Sequence, residues 1–272
     1  MPLAYYSRAA DADFWTEHWG THSVEELLAV ARRSPLTRLI EAHLPSRGLV
    51  LEAGCGLGQY VLHLRERGHR AVGADWSLEA LRAGTRLGAP LAVMDLRALA
   101  ARDGAAACYL SLGVVEHDPA GPAAIVAEAA RVLAPGGVLL LSVPYWNGVR
   151  RLFAHWVARD GRRTRAEGGQ FYQFAFTRAE VRAFLEAAGF RVRAFHPYDP
   201  ARIVRGALRS WRGGAVAAPS PAGKTATPCA TTAGGGARGA VKRALRGVLY
   251  SPPALRLLGH MILAVAVKPG AR

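Results

Sequence analysis

Two carboxylates and three alternating glycines are the residues of this chain whose types and spacing can do chemistry. Glu52 is followed by Gly54, Gly56 and Gly58, with Cys55 inside the run. A short apolar stretch, Leu49-Val50-Leu51, precedes them, and Tyr60-Val61-Leu62-His63-Leu64 follows with helical patterning. Strand, glycine turn and helix form a layout in which backbone approaches a nucleotide closely. Asp75 lies about twenty residues beyond the first glycine, at the end of a second apolar run, Arg70–Ala74. A carboxylate there can accept both ribose hydroxyls of an adenosine, because its two oxygens match a vicinal diol. It can also be an ordinary helix N-cap, since Ser77 and a helical pattern follow. Trp76 stands where it can pack on an adenine.

The glycine spacing selects among nucleotides. A dinucleotide fingerprint requires G-x-G-x-x-G. Here the third glycine comes one residue early, and Gln59 holds the position that a dehydrogenase gives to glycine. The string E-x-G-x-G-x-G over Glu52–Gly58 instead resembles motif I of the class I S-adenosylmethionine-dependent methyltransferases. The resemblance implies S-adenosyl-L-methionine as cofactor, with Glu52 serving the amino group at its methionine end. It also implies that Asp95, or the backbone amide of Leu96 beside it, reads the adenine; a surface turn is the alternative for that pair. The run Ser111-Leu112-Gly113-Val114-Val115-Glu116-His117 resembles the segment after the fourth strand in ubiquinone-type and related small-molecule methyltransferases, which adds Leu112 and Gly113 to the expected cofactor contacts. Arg131-Val132-Leu133-Ala134-Pro135-Gly136-Gly137 resembles the family's turn into the fifth strand. Ala105-Ala106-Ala107 departs from the family, which often opens the fourth strand with an acid.

Methyl transfer from a sulfonium is an in-line displacement, so such a protein mainly aligns an acceptor and excludes water. A hydroxyl or carbon acceptor also needs a proton removed. His117 is the first candidate base, at the rim where ligands bind in such sheets; a histidine capping a helix or packing beneath the site is the competing role. Glu116, Tyr145 and His155 are weaker candidates. The expected function is methyl transfer to an O, C or N atom of a small molecule or lipid-like metabolite. A non-catalytic protein that keeps the cofactor fold, or a nicotinamide-dependent oxidoreductase, is the alternative. No Asn-Pro-Pro-Tyr motif follows the fourth strand, so no specific nucleic-acid partner is expected, and no cluster suggests a catalytic metal.

These residues need an α/β frame: a Rossmann-like, doubly wound sheet of seven strands, mostly parallel, with an antiparallel last strand. The apolar runs place strands at 49–51, 70–74, 89–93, 105–112, 138–143, 190–195 and 260–267. The expected organisation is a helical and aromatic cap over 1–46, a cofactor-binding core over 47–199, a basic flexible insertion over 200–259, and a last strand over 260–268. Tyr5, Tyr6, Phe14, Trp15 and Trp19 make the first twenty residues aromatic. That segment is either pinned on the core by its rings or a lid over the substrate.

Half of the chain is hydrophobic, enough for a sizeable core, and the net charge is +15. The excess is local: from Ala201 onward there is no Asp or Glu. Basic residues alternate there with Ile203, Val204, Leu208 and Trp211, so residues 201–256 are a candidate peripheral contact with an anionic membrane; a solvated loop is the other reading. Cys55, Cys108 and Cys229 show no C-x-x-C spacing, no apolar run is long enough to span a bilayer, and no signal-peptide core opens the chain. A cytoplasmic protein, with membrane association at most peripheral, is the expectation.

Overall fold

A computed structural model describes residues 2–202, 244 and 246–270. Its main sheet has seven strands: β2 (Leu49–Ala53), β3 (Arg70–Asp75), β4 (Leu91–Val93), β5 (Ala106–Leu112), β6 (Leu133–Pro144), β8 (Arg191–Tyr198) and β9 (Met261–Val267). Their order across the sheet is β4-β3-β2-β5-β6-β9-β8. The pairs from β4 to β6 are parallel, and β9 runs antiparallel to both β6 and β8. This is the expected mostly parallel Rossmann-like sheet with an antiparallel last strand.

Both faces of the sheet are covered, which explains the continuous apolar strands. Successive side chains point to opposite faces, so Leu51, Tyr109, Leu139 and Leu141 join one core while Val50, Cys108, Leu110 and Leu140 join the other. The first core packs against α6 (Ala123–Val132) and α9 (Arg178–Ala187), the second against α2 (Val24–Ala31), α3 (Pro35–Glu41), α4 (Gln59–Glu66) and α5 (Leu78–Arg86). Truncating a fully buried leucine such as Leu140 to alanine costs about 2–5 kcal/mol. Local signals set the helix ends. Ser23, Ser34 and Ser77 cap α2, α3 and α5 through their side-chain oxygens, Pro35 opens α3, and Thr177 with Glu180 forms a capping box on α9.

The chain winds outward from β2 through β3 to β4, then returns to place β5 on the other side of β2. The reversal lies between β2 and β5. Ligands of open α/β sheets bind at such a point, outside the carboxyl ends of the strands.

Two features go beyond the seven expected strands. β1 (Leu3–Ser7) pairs antiparallel with β7 (Gln170–Ala175) in a separate two-stranded sheet. It tethers α1 (Ala12–Gly20), the aromatic helix near the start of the chain. After β6 come α7 (Gly148–Leu152) and α8 (Ala154–Ala166), the latter lying along β1. The sixth strand also runs three residues further than the apolar pattern suggested, to Tyr198. Ile203, Val204, Leu208, Trp211 and the rest of 203–243 lie outside the described residues, as does Cys229. Within the stretch read as an insertion, α10 (Pro252–Leu258) forms and packs on α7. No helix among the described residues is long and apolar enough to cross a membrane.

Candidate active site

A cavity of about 890 Å³ opens at the carboxyl ends of β2, β3 and β5, within the usual size range of small-molecule sites. Glu52, Gly54, Cys55, Asp75, Trp76, Asp95, Leu96, Leu112, Gly113 and His117 all line it. Of the residues expected from sequence, Gly56 and Gly58 do not line it. Gly58 takes a left-handed φ of 78° at the start of α4, and a Cβ there would lie 2.9 Å from Leu91, so it serves the approach of α4 to the sheet. Gly56 is covered by Trp19: a Cβ would lie 2.5 Å from the indole. Gly54 (φ 79°) does face the cavity, and a Cβ on it would collide with Val114 across the strand reversal.

The two carboxylates behave differently. Asp75 is buried, and both its oxygens are engaged: Gly56 N–H donates to Oδ2 (2.8 Å) and Ser77 N–H to Oδ1 (3.0 Å). Ser77, not Asp75, caps α5. Asp75 therefore clamps the glycine turn to the end of β3. Burial raises its pKa while the backbone N–H groups pull it down. Glu52 is 2% exposed, and its Oε2 has no hydrogen-bond partner. Burial, then the neighbouring charge of Asp75, hold its carboxyl well above the usual range, against a hydrogen bond from the Val61 backbone. A buried carboxylate oxygen without a donor is costly unless a ligand supplies one. Gln59 Oε1, also on the cavity wall, is a second buried acceptor without a partner. These two acceptors fit an ammonium group, as the methionine end of S-adenosylmethionine carries.

Asp95 is exposed, and its carboxylate is held by Arg97 through the backbone N–H and a guanidinium ion pair at 2.9 Å. That leaves the Leu96 backbone and the Met94 and Leu96 side chains as the wall beside it. Trp76 is half-exposed at the same wall. Cys55 is buried, with its sulfur against Gly73, and burial pushes its thiol up.

His117 sits in a short 3₁₀ turn after β5. Its Nδ1 is 2.9 Å from the Tyr172 carbonyl, which can only accept, so Nδ1 carries the proton and Nε2 the lone pair. Its ring packs edge-on against Trp15 (4.9 Å) and Tyr172 (5.2 Å). Burial lowers its pKa to about 4, so the imidazole is neutral near pH 7. Glu116 is buried, with Oε2 unpartnered, and burial pushes its carboxyl up to about 8. Its charge is felt at Tyr172 and Tyr198. Glu116 does not line the cavity, nor do Tyr145, under Arg178, and His155, on the outer face of α8. The segment between β6 and β7 stays off the cavity wall.

The rest of the wall comes from the aromatic segment near the start of the chain and from residues that the sequence did not mark. Trp15 and Trp19 of α1 cover one side, their rings stacked at 6.1 Å. Leu27, Val30, Ala31, Pro35 and Leu36 come from α2 and α3, and Tyr60 from α4. Tyr198 comes from the end of β8, its hydroxyl 2.5 Å from Ser142 Oγ. Arg33 lines the cavity, and its guanidinium has no hydrogen-bond or ion-pair partner among the described residues. No group of three or more potential metal ligands occurs among the described residues.

The sequence matches a family described as methyltransferase domain over residues 22–194. The chain belongs to this family, and its fold and cofactor are those of the class I S-adenosylmethionine-dependent methyltransferases. A curated relative, YqeM of Bacillus subtilis (strain 168), named as a methyltransferase, is 39% identical over 57 residues; the match spans about a quarter of that protein (23%) and 21% of this chain. Solved structures share the fold. A methyltransferase from Methanosarcina mazei has a TM-score of 0.57 at 18% identity, covering 86% of this chain and 98% of its own. The geranyl diphosphate C-methyltransferase of Streptomyces coelicolor A3(2), solved with Mg2+, geranyl diphosphate and S-adenosyl-L-homocysteine, has a TM-score of 0.56 at 16% identity, covering 98% and 92%.

Proposed function

We propose that this protein transfers a methyl group from S-adenosylmethionine to an O, C or N atom of a small, largely apolar acceptor that carries an anionic group. The carrying observation is that one cavity is lined both by the carboxylates Glu52 and Asp75 and by the largely apolar side chains of Leu27, Leu36, Tyr60 and Tyr198. Bound S-adenosylmethionine supplies a methyl group on a positively charged sulfur, ready for in-line displacement.

The chain's own residues have the remaining tasks. Glu52 Oε2, with Gln59 Oε1, accepts from the cofactor's ammonium group, which favours the ionised carboxylate. Asp75 keeps Gly54 and Gly56 in place and presents its oxygens near the ribose. Trp76 and the Leu96 backbone flank the adenine. Trp15 and Trp19 exclude water from the reacting end. His117 Nε2 is the proton acceptor for a hydroxyl or carbon acceptor; with a pKa near 4 it holds that proton only briefly. Arg33 is the partner for the acceptor's anionic group.

The test has two parts. Calorimetry should find S-adenosylmethionine binding and negligible NAD binding; preferential binding of the dinucleotide would sink the methyltransferase reading. A panel of apolar acceptors, each as a free acid and as its methyl ester, should then release S-adenosylhomocysteine faster with the acids. Arg33→Ala should remove that preference by raising KM about five- to tenfold for the acids alone. Equal rates for acid and ester would leave Arg33 a surface residue.

A further inference from the structure

The outer side of α7 and α8 exposes large apolar side chains within one short stretch. Leu152 is 74% exposed, Phe153 50% and Trp156 59%. Leu257 of α10, 54% exposed, extends the patch: its side chain packs on Gly148, one helical turn before Leu152 on the same face of α7. Cores and single exposed leucines need no explanation, but a contiguous patch of this kind marks an interaction surface.

Basic residues ring the patch. α8 turns Ala154, Val157, Ala158, Gly161 and Thr164 inward, with Gly161 against β1. Trp156 therefore shares the outer face with His155, Arg159, Asp160 and Arg163, where the arginines outnumber the one carboxylate. Arg151 and Arg159 make no ion pair among the described residues, while Arg163 pairs with Glu167. The occupant must therefore be anionic as well as apolar. Residues 203–243 cannot supply that complement, since the chain has no Asp or Glu beyond Ala201.

From this charge complementarity we infer that the α7–α8 face docks on an anionic lipid surface, with Leu152, Phe153 and Trp156 entering the headgroup boundary and Arg151 and Arg159 meeting lipid phosphates. Aromatic and leucine side chains beside arginines are the composition such interfacial contacts use. The geometry has a further consequence. α7 and α8 leave the carboxyl end of β6, and β6 is parallel to β5, whose carboxyl end borders the cavity. A membrane seated there lies on the same edge of the sheet as the cavity. The inference does not depend on the nature of the reaction.

Sedimentation of the full chain with vesicles of phosphatidylcholine, with or without phosphatidylglycerol, tests it. The protein should partition at least about tenfold better onto the anionic vesicles. The L152S/F153S/W156S variant should lose at least about tenfold of that partition while keeping its circular dichroism and S-adenosylmethionine affinity. Lipids brominated on their acyl chains should quench part of the tryptophan fluorescence, and Trp156→Phe should remove that part while the protein stays bound. Three results would each overturn the inference: indifference of the wild type to anionic vesicles, as for a protein-docking surface; undiminished sedimentation of the triple variant, as for binding through the basic 203–243 stretch alone; and unchanged quenching in Trp156→Phe.

Discussion

One wall of the cavity, with Glu52 and Asp75, is made of strand ends and backbone, whereas another, with Tyr60 and Tyr198, is made of side chains from separate helices and a distant strand. At the first, Gly54, Cys55 and Asp75 are held within one hydrogen-bonded unit: Gly54 and Cys55 N–H both donate to the Ala74 carbonyl, and Gly56 N–H to Asp75. At the second, residues from 27 to 36, Tyr60 and Tyr198 meet because α2 packs on α4 and α3 on β8. A wall of backbone tolerates little change. A wall of side chains can be rebuilt residue by residue, so one scaffold can serve many acceptors with a constant cofactor.

The largest effect should come from forcing a side chain into the backbone wall. Gly54→Val puts a branched residue at a φ of 79° and drives it into Val114. Strain and overpacking together should cost about 2–5 kcal/mol of stability, and S-adenosylmethionine affinity should fall more than about a hundredfold. Near-wild-type calorimetric binding would mean that the turn yields, and the contrast between the two walls would fail.

A smaller loss is expected from Asp75→Ala. Cofactor affinity should drop by about 1.5–3 kcal/mol. The clamp adds a consequence that a carboxylate at a free strand end would not have. Gly56 and Ser77 N–H lose a buried acceptor, so denaturant unfolding should report a further destabilisation of about 1–3 kcal/mol. Weakened binding at unchanged stability would separate the ribose role from the clamp.

The mildest test uses pH on the side-chain wall, through the charge that Tyr172 and Tyr198 feel. In the unfolded chain Glu116 ionises near 4.5, and in the folded protein at about 8. Between these values the folded state holds the extra proton, so rising pH costs stability, at most about 1.4 kcal/mol per unit. His117 opposes this below its ordinary value of 6.5: its folded pKa is near 4, so between 4 and 6.5 rising pH adds stability. From pH 6.5 to 8 Glu116 acts without that offset. Glu116→Gln should therefore gain about 1–2 kcal/mol on wild type across that interval, read from urea midpoints. Parallel curves would show that Glu116 is already ionised.

This division also explains what was legible in advance. Glu52, Gly54, Asp75 and Gly113 were readable because a strand, a turn and a helix adjacent in sequence are adjacent in space. The seven strands were readable because burial on both faces makes them uniformly apolar. Tyr198 was missed because its alternation with polar residues blurs where β8 ends. Trp19 was read as part of an aromatic segment, but its place over Gly56 depends on the β1–β7 pairing, which joins residues such as Leu3 and Ala175 and leaves no local trace. Gly58, read as a cofactor contact, lies off the cavity wall where a Cβ would meet Leu91; a packing glycine and a ligand-side glycine look alike in sequence, since both demand the absence of a side chain.

The place of β9 sets a timetable for the molecule. This strand lies inside the sheet, between β6 and β8, with Leu140 beside Val265 and His196 beside Leu263. While the ribosome is still translating the basic stretch, β6 and β8 have no partner along those edges. Val138 to Pro144 then present a nascent, uncharged ribbon able to pair with other chains. Completion of the sheet waits for residue 267 to emerge, so the core closes only after the whole basic stretch has been made, and termination within that stretch leaves two unpaired strand edges open to aggregation.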